Sequence, residues 1–484
     1  MKEKLETINF KYKVSLFTFL FFLFIGALSP ISGADWKSYI IGKEGFIECF
    51  KNINISDGRI VSGFLINFFS YNKILFDICF ALLMSGFVKI CNNIMGTSKN
   101  KYYFLYPLIG VLLVSTFMFS YNYTSITSTV AYTFPAIMFF FYFYNFLKDE
   151  MTKIDYVKQI LLIVFISLSS IHLAITFFIT NLVFLAFNSK YNKKIKNLIL
   201  LIINFILVIV SLTTIKNSLF YTEINDITGN ISYMIENVFS KNIVLIIIGA
   251  IPINYYLSEK LKENTYGRVV ITVFNLILFF SLSYNFFNYS PVNLNLILSK
   301  YSGIFATENW YYIFYYIIYM VLFVISMNHF IKSKRTKLML NMFSVASLIL
   351  IILTIISPLF DLGNIVFICF TIIIIACLLA KEINTRVYVK IVKLALTLLV
   401  FYYISMFGVI KYIDVTRTNY IKEQIDAKDT RIEVKANPIY LVWRYNPDYF
   451  QSNDFKKYYE IPNNYTIEVK YFGIFEKIEK KVKE

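Results

Sequence analysis

Apolar residues in this chain fall into runs of about twenty, repeated along most of its length, and that pattern leaves few folds open. A helix needs about 20 mostly apolar residues to cross a hydrocarbon core about 30 Å thick. Within lipid every backbone polar group must be satisfied inside the segment, so such runs read as membrane helices. The 484 residues are 57% hydrophobic and 16% charged, against about 25% charged in soluble domains. A soluble enzyme, a disordered chain and a collagen-like fibre are excluded. The expected fold is an all-α polytopic integral membrane protein.

Reading for runs of spanning length places helices near 13–30, 72–91, 102–120, 129–147, 157–171, 173–187, 195–215, 242–257, 267–287, 310–331, 338–357, 363–380 and 388–410. That is about 13 transmembrane helices. The N-terminal run resembles a signal peptide in its basic start, but it continues to Pro30 and further spans follow, so it reads as a retained first span.

The connecting segments fix an orientation. With the N-terminus cytoplasmic, inner loops carry Lys99 and Lys101, Lys148 and Lys153, Lys193, Lys194 and Lys196, Lys260 and Lys262, and Lys332, Lys334, Arg335 and Lys337. The outer loops 121–128 and 357–362 carry no basic residue. This alternation follows the positive-inside rule. An odd number of spans then puts the C-terminus outside, giving a transmembrane domain over 1–410 and an extracytoplasmic domain over 411–484. The latter holds 14 basic and 12 acidic residues, with prolines and β-prone stretches such as Thr466–Phe475, and reads as a small folded α/β unit.

The net charge of +17 is therefore topological, and nucleic acid is not an expected partner. Five cysteines show no metal or disulfide spacing and read as small hydrophobic residues.

The most informative stretch is the outer loop over 31–71. Asp35 and Trp36 follow the first span closely, at the outer face, where the Trp36 ring is a candidate to meet a sugar. A carboxylate shielded there gains basicity and can accept a proton; the plain alternative is a solvated acid beside an interfacial Trp. Beyond Asp57-Gly58-Arg59, the residues Arg59, Ser62, Gly63, Asn67 and Ser70 recur at helical spacing, predicting an amphipathic helix at about 58–70 in the outer interface. Asp57 suits that helix's N-cap or a second acidic position in the same cleft as Asp35. The fork of Arg59 matches phosphate oxygens.

These features, Ala34-Asp35-Trp36 after the first span, Asp57-Gly58-Arg59 before the next helix, and a tail running from "TRTNYIKEQI" to "DFKKYYEIPNNY", resemble bacterial GT-C type membrane glycosyltransferases. The similarity is nearest to domain-of-unknown-function families related to the GtrII-like O-antigen glucosyltransferases. Those families often show Asp-Asp-Trp/Tyr and Asn-Gly-Arg; here only the second Asp is kept and an Asp opens the second motif. The resemblance implies transfer of a sugar from a polyprenyl-phosphate-linked donor to a cell-envelope glycan or lipid-linked acceptor, at the outer face of a bacterial plasma membrane. It gives Asp35 the role of base toward the acceptor hydroxyl, while Arg59 is the candidate to steady the departing phosphate. The sequence names no cofactor. A divalent cation is the candidate, although the missing first Asp removes half of a two-carboxylate site.

His172 falls at an outer turn between two short spans, where it suits either donor phosphate or sugar, or a free helix carbonyl. The outer turn Ser120–Pro135, with Tyr121 and Asn122, offers rings and amides to a sugar, or ordinary interfacial packing. Lys73 and Asp77, one turn apart, read as a local ion pair reaching water. Two other functions stay open: a polysaccharide (O-antigen or capsule) polymerase, although loops 216–241 and 288–309 lack arginine, and a lipid-linked glycan flippase or transporter, although no internal repeat is evident.

Overall fold

The computed structural model describes the chain apart from residues 1, 32, 34, 54–57, 97, 99, 115–122, 146–150, 188–194, 216–229, 232–241, 262–264, 290–309, 358–361, 384–388, 436–451 and 471–484. The helices, in chain order, are α1 (Lys2–Leu28), α2 (Asp35–Glu44), α3 (Phe46–Lys51), α4 (Ile60–Tyr71), α5 (Lys73–Ile94), α6 (Tyr106–Leu112), α7 (Ile126–Asn145), α8 (Lys153–Ser167), α9 (Ile171–Phe187) and α10 (Ile195–Thr213). They continue with α11 (Ile243–Leu261), α12 (Thr265–Tyr289), α13 (Trp310–Phe330), α14 (Lys334–Ile356), α15 (Ile365–Glu382), α16 (Val389–Asp426) and α17 (Asn453–Tyr458). Among the described residues, seven helices are long and apolar enough to cross a membrane: those beginning at Glu6, Lys73, Ile126, Lys196, Lys334, Ile365 and Val389.

Helices α7 and α15 form the centre of the described bundle, each with 83% of its most apolar window buried. Their contact is aromatic: Phe140 stacks on Phe367 at 4.9 Å and meets Phe343 of α14 edge-on at 4.6 Å. By contrast, α16 buries only 22% of its window and turns Leu394, Leu398 and Phe401 outward. Such an exposed apolar face suits lipid contact.

Most expected spans coincide with a helix, and four regions differ in detail. The expected span at 102–120 is not one helix in its described part. A 3-10 turn at Lys101–Leu105 leads into α6, which ends at Leu112, and the Tyr403 hydroxyl donates to the carbonyls of Leu112 (2.9 Å) and Val114 (3.2 Å). Helices α8 and α9 have 15 and 17 residues, less than a spanning length. Helix α7 contains a π-helical turn, Thr129–Thr133, directly after its first three residues. Finally, α16 runs 38 residues, on past the residue where the sequence suggests a domain boundary. At about 1.5 Å per residue it is about 57 Å long, well over the core thickness.

The lysines gather at one end of the first helices. Lys11 donates to the Asn92 carbonyl (2.7 Å) and to Gly96, and Lys381 donates to the Met95 carbonyl. Lys393 lies 5.4 Å from the Tyr102 ring. Cations here meet the free carbonyls ending α5, where the helix dipole is negative.

In the tail, β1 (Arg431–Lys435) pairs in parallel with β2 (Thr466–Lys470), Arg431 opposite Thr466. Gln424 at the end of α16 brackets β1, donating to the Glu433 carbonyl (3.0 Å) and accepting from its N–H (2.7 Å). Ile432 and Val434 are fully buried behind it.

Candidate functional site

The end of the bundle away from these lysines holds the residues singled out in the first outer loop. Asp35 is the first residue of α2 and is 1% exposed. Its Oδ2 accepts from the Ile126 N–H (3.0 Å), and its Oδ1 accepts from the N–H (2.9 Å) and hydroxyl (2.6 Å) of Thr127. Ile126 and Thr127 begin α7, whose first N–H groups have no partner within the helix. Asp35 thus caps a helix far from it in sequence, where the dipole favours negative charge. Burial pushes its carboxyl above the ordinary carboxylate range, against the opposing pull of Thr127, Ile126 and nearby Lys73.

Trp36 points the other way, into the tail. Its ring meets Phe455 at 4.9 Å, Tyr458 at 6.0 Å and Tyr459 at 6.3 Å, and its Nε1 donates to the Ile31 carbonyl at 3.1 Å. Tyr39 adds a contact to Tyr458 at 5.0 Å. The indole is thus the anchor of α17.

Arg59 sits immediately before α4. Its guanidinium donates to the Tyr132 hydroxyl and lies 5.0 Å from the ring centroid. Tyr132 belongs to the π-helical turn of α7, so Asp35 and Arg59 engage the same helix start, about five residues apart, or about 8 Å along it. Gly363 makes that arrangement possible, because a Cβ there would lie 1.9 Å from the Tyr132 ring.

Helix α4 occurs at 60–71, close to the expected 58–70, with its polar stripe turned toward protein. Ser62 donates to the Ser169 carbonyl (2.7 Å), Asn67 donates to the Cys49 carbonyl (3.3 Å), and Ser70 is buried. The outward Phe64 and Phe68 pack with Phe46 and Phe50 of α3. The start of α4 has no side-chain cap; the Val61 N–H donates to the Leu168 carbonyl at 2.9 Å. Gly58 precedes it with φ +71°, a left-handed conformation that favours glycine, and a Cβ there would lie 3.2 Å from the Ser211 carbonyl oxygen and 3.7 Å from Ile171. His172 is buried in the first turn of α9, just after the 168–170 stretch that receives α4. The site residues Asp57, Tyr121 and Asn122 lie outside the described residues, as does Asp361.

The ion pair expected from the spacing of Lys73 and Asp77 forms behind Asp35, but it does not reach water as expected, and charges of α16 join it. Lys73 pairs with Asp77 at 2.7 Å, with side chains 20% and 7% exposed, so this pair lies mostly inside the bundle. Lys73 also donates to the Gly26 carbonyl, and a Cβ on Gly26 would sit 2.7 Å from Asp77. From α16 come Lys411, Asp414 and the buried Arg417, and Tyr459 hydrogen-bonds Asp414. Burial pushes the Tyr459 hydroxyl up to about 12, so it remains a donor. The i,i+4 spacing gives the Lys73–Asp77 pair itself, but nothing in the sequence links α5 to the charges of α16 more than three hundred residues later. Among the described residues no group of three or more His, Cys, Asp or Glu side chains could hold a metal ion.

Fold and site together define an all-α chain with several apolar helices of membrane-spanning length, the class of a multi-pass membrane protein. No protein-family model, no curated protein and no solved structure matches the chain.

Proposed function

We propose that the protein is a glycosyltransferase that moves a sugar from a polyprenyl-phosphate-linked donor to a cell-envelope glycan at the outer face of the plasma membrane. The observation that carries this reading is the meeting of Asp35 and Arg59 on the start of α7, at the end of the bundle opposite the lysines. A donor of this kind places its phosphate at the interface and its chain among the helices. Arg59 supplies a guanidinium for that phosphate. The shielded carboxyl of Asp35 has its basicity raised, as a base toward an acceptor hydroxyl requires. A carboxylate has about four lone-pair sites, and the hydrogen bonds from Ile126 and Thr127 leave one on Oδ2.

Those same three hydrogen bonds favour a second reading, in which Asp35 is purely a helix cap and the chain serves transport or scaffolding. Mass spectrometry of envelope glycans separates the two. Cells carrying wild type, a deletion, Asp35→Asn or Arg59→Gln are compared at matched protein level. Loss of the same sugar in all three mutants supports the transferase. Chains shortened to single repeats point to a polymerase. Normal glycan with Asp35→Asn, alongside loss in the deletion, removes Asp35 from catalysis.

A further inference from the structure

A crevice of about 680 Å³ lies between α5, α7 and α8, away from the group around Asp35. One mouth is polar: Lys89 and Asn93 come from α5, Asn145 from the end of α7, and Lys158 from the first turns of α8. The walls beyond are apolar, with Phe141 and Leu161 prominent. Both lysines are exposed, and neither is in an ion pair with a carboxylate among the described residues. The mouth is at the end of α5 where Lys11 and Lys381 also gather.

The depth of the crevice is informative. It extends from Lys158 to Val61, and Val61 is hydrogen-bonded to Leu168 just past the end of α8. Ten residues of helix rise about 15 Å, half of a hydrocarbon core about 30 Å thick. A cleft one leaflet deep, apolar along its length and doubly cationic at its mouth, complements one acyl chain below an anionic headgroup. We infer that the crevice between α5, α7 and α8 binds an anionic phospholipid of the cytoplasmic leaflet, with Lys89 and Lys158 holding its phosphate. This site is independent of the transfer chemistry proposed above, since its cations lie at the other end of the bundle.

The test uses the purified full chain, equilibrated with mixed phosphatidylglycerol and phosphatidylcholine and examined by native mass spectrometry. Wild type retains phosphatidylglycerol preferentially. An interfacial lysine contributes about a fivefold preference for anionic lipid, so Lys89→Gln with Lys158→Gln lowers retention about 30-fold. Leu161→Trp, which fills the crevice and keeps both lysines, also lowers it; this variant carries the test if the lysine pair fails to fold. The inference falls if Lys332→Gln with Lys334→Gln has the same effect, since general surface charge would then suffice. It also falls if Leu161→Trp leaves retention unchanged, or if added polyprenyl phosphate displaces phosphatidylglycerol and takes over the dependence on the two lysines. That last result would assign the crevice to a lipid-linked donor.

Discussion

Asp35 accepts both the N–H and the hydroxyl of Thr127 on a single carboxylate oxygen, at 2.9 and 2.6 Å. The segment that follows α1 is thereby fixed to the start of α7, and this bond is the natural place to test the end of the bundle that carries it.

Asp35→Ala removes the acceptor for two N–H groups and a hydroxyl in a nearly solvent-free setting. Each unpaired buried group costs about 1–3 kcal/mol, so for three groups a loss of about 3–9 kcal/mol is expected. Asp35→Asn keeps one acceptor oxygen and falls between Ala and wild type. Thermal unfolding in detergent gives the order, and an Ala variant as stable as wild type contradicts the capping role.

The same carboxyl has a pH signature. Its folded-state pKa is raised by burial, so the folded chain binds the proton more tightly than the unfolded chain. Its contribution is greatest below the unfolded value of about 3.9 and declines as pH rises through the folded value. Relative to wild type, Asp35→Asn therefore lacks this decline. Identical slopes of stability against pH in the two proteins above about pH 4 would overturn the assignment.

Trp36→Ala empties the pocket that holds α17. Deleting a buried Trp costs about 3–5 kcal/mol. Because α17 is joined to the bundle largely through Trp36 and Tyr39, the expected result is faster protease cleavage in the tail with the bundle intact. Trp36→Phe keeps part of the contact and cleaves at an intermediate rate. Equal cleavage of all three proteins would mean that the tail is held by other contacts.

Two glycines give opposite expectations. At Gly363 an added methyl meets the Tyr132 ring at 1.9 Å, so Gly363→Ala displaces that ring and weakens its bond to Arg59. Gly408 lies within α16 with nothing within 4 Å of its Cβ position. Gly408→Ala there should leave stability unchanged or raise it by about 0.5–1 kcal/mol. Melting temperatures of the pair check this, and a tolerant Gly363→Ala is the result that would fail it.

Much of the helix layout was legible, because a membrane span is encoded locally, in about 20 consecutive residues. Helix α5 and the expected 72–91 run differ by a few residues at their ends. Helix α6 was not legible: its run is apolar enough to span, yet it ends where Tyr403, far along the chain, takes up the Leu112 carbonyl. The extension of α16 past residue 410 was hidden as well, since residues 411–426 are amphipathic and lean on β1 through Gln424. In the site, Asp35 and Arg59 could be singled out from residue type and position. Their partners could not. Thr127 lies 92 residues from Asp35 and Tyr132 lies 73 from Arg59, and no periodicity carries information across such gaps. The partners of Trp36 were hidden for a related reason: an aromatic residue just after a span looks the same in sequence whatever it packs against.

The contact between Trp36 and Phe455 also orders events during synthesis. More than four hundred residues separate the two rings. At roughly 5–20 residues per second, the ribosome takes on the order of 20–80 s to cover that interval. Asp35, next to Trp36, meets its partner Thr127 much sooner. The segment after α1 is therefore seated early on a nascent chain and latched by α17 only after more than four hundred further residues, so chains released before Phe455 are left with the latch open.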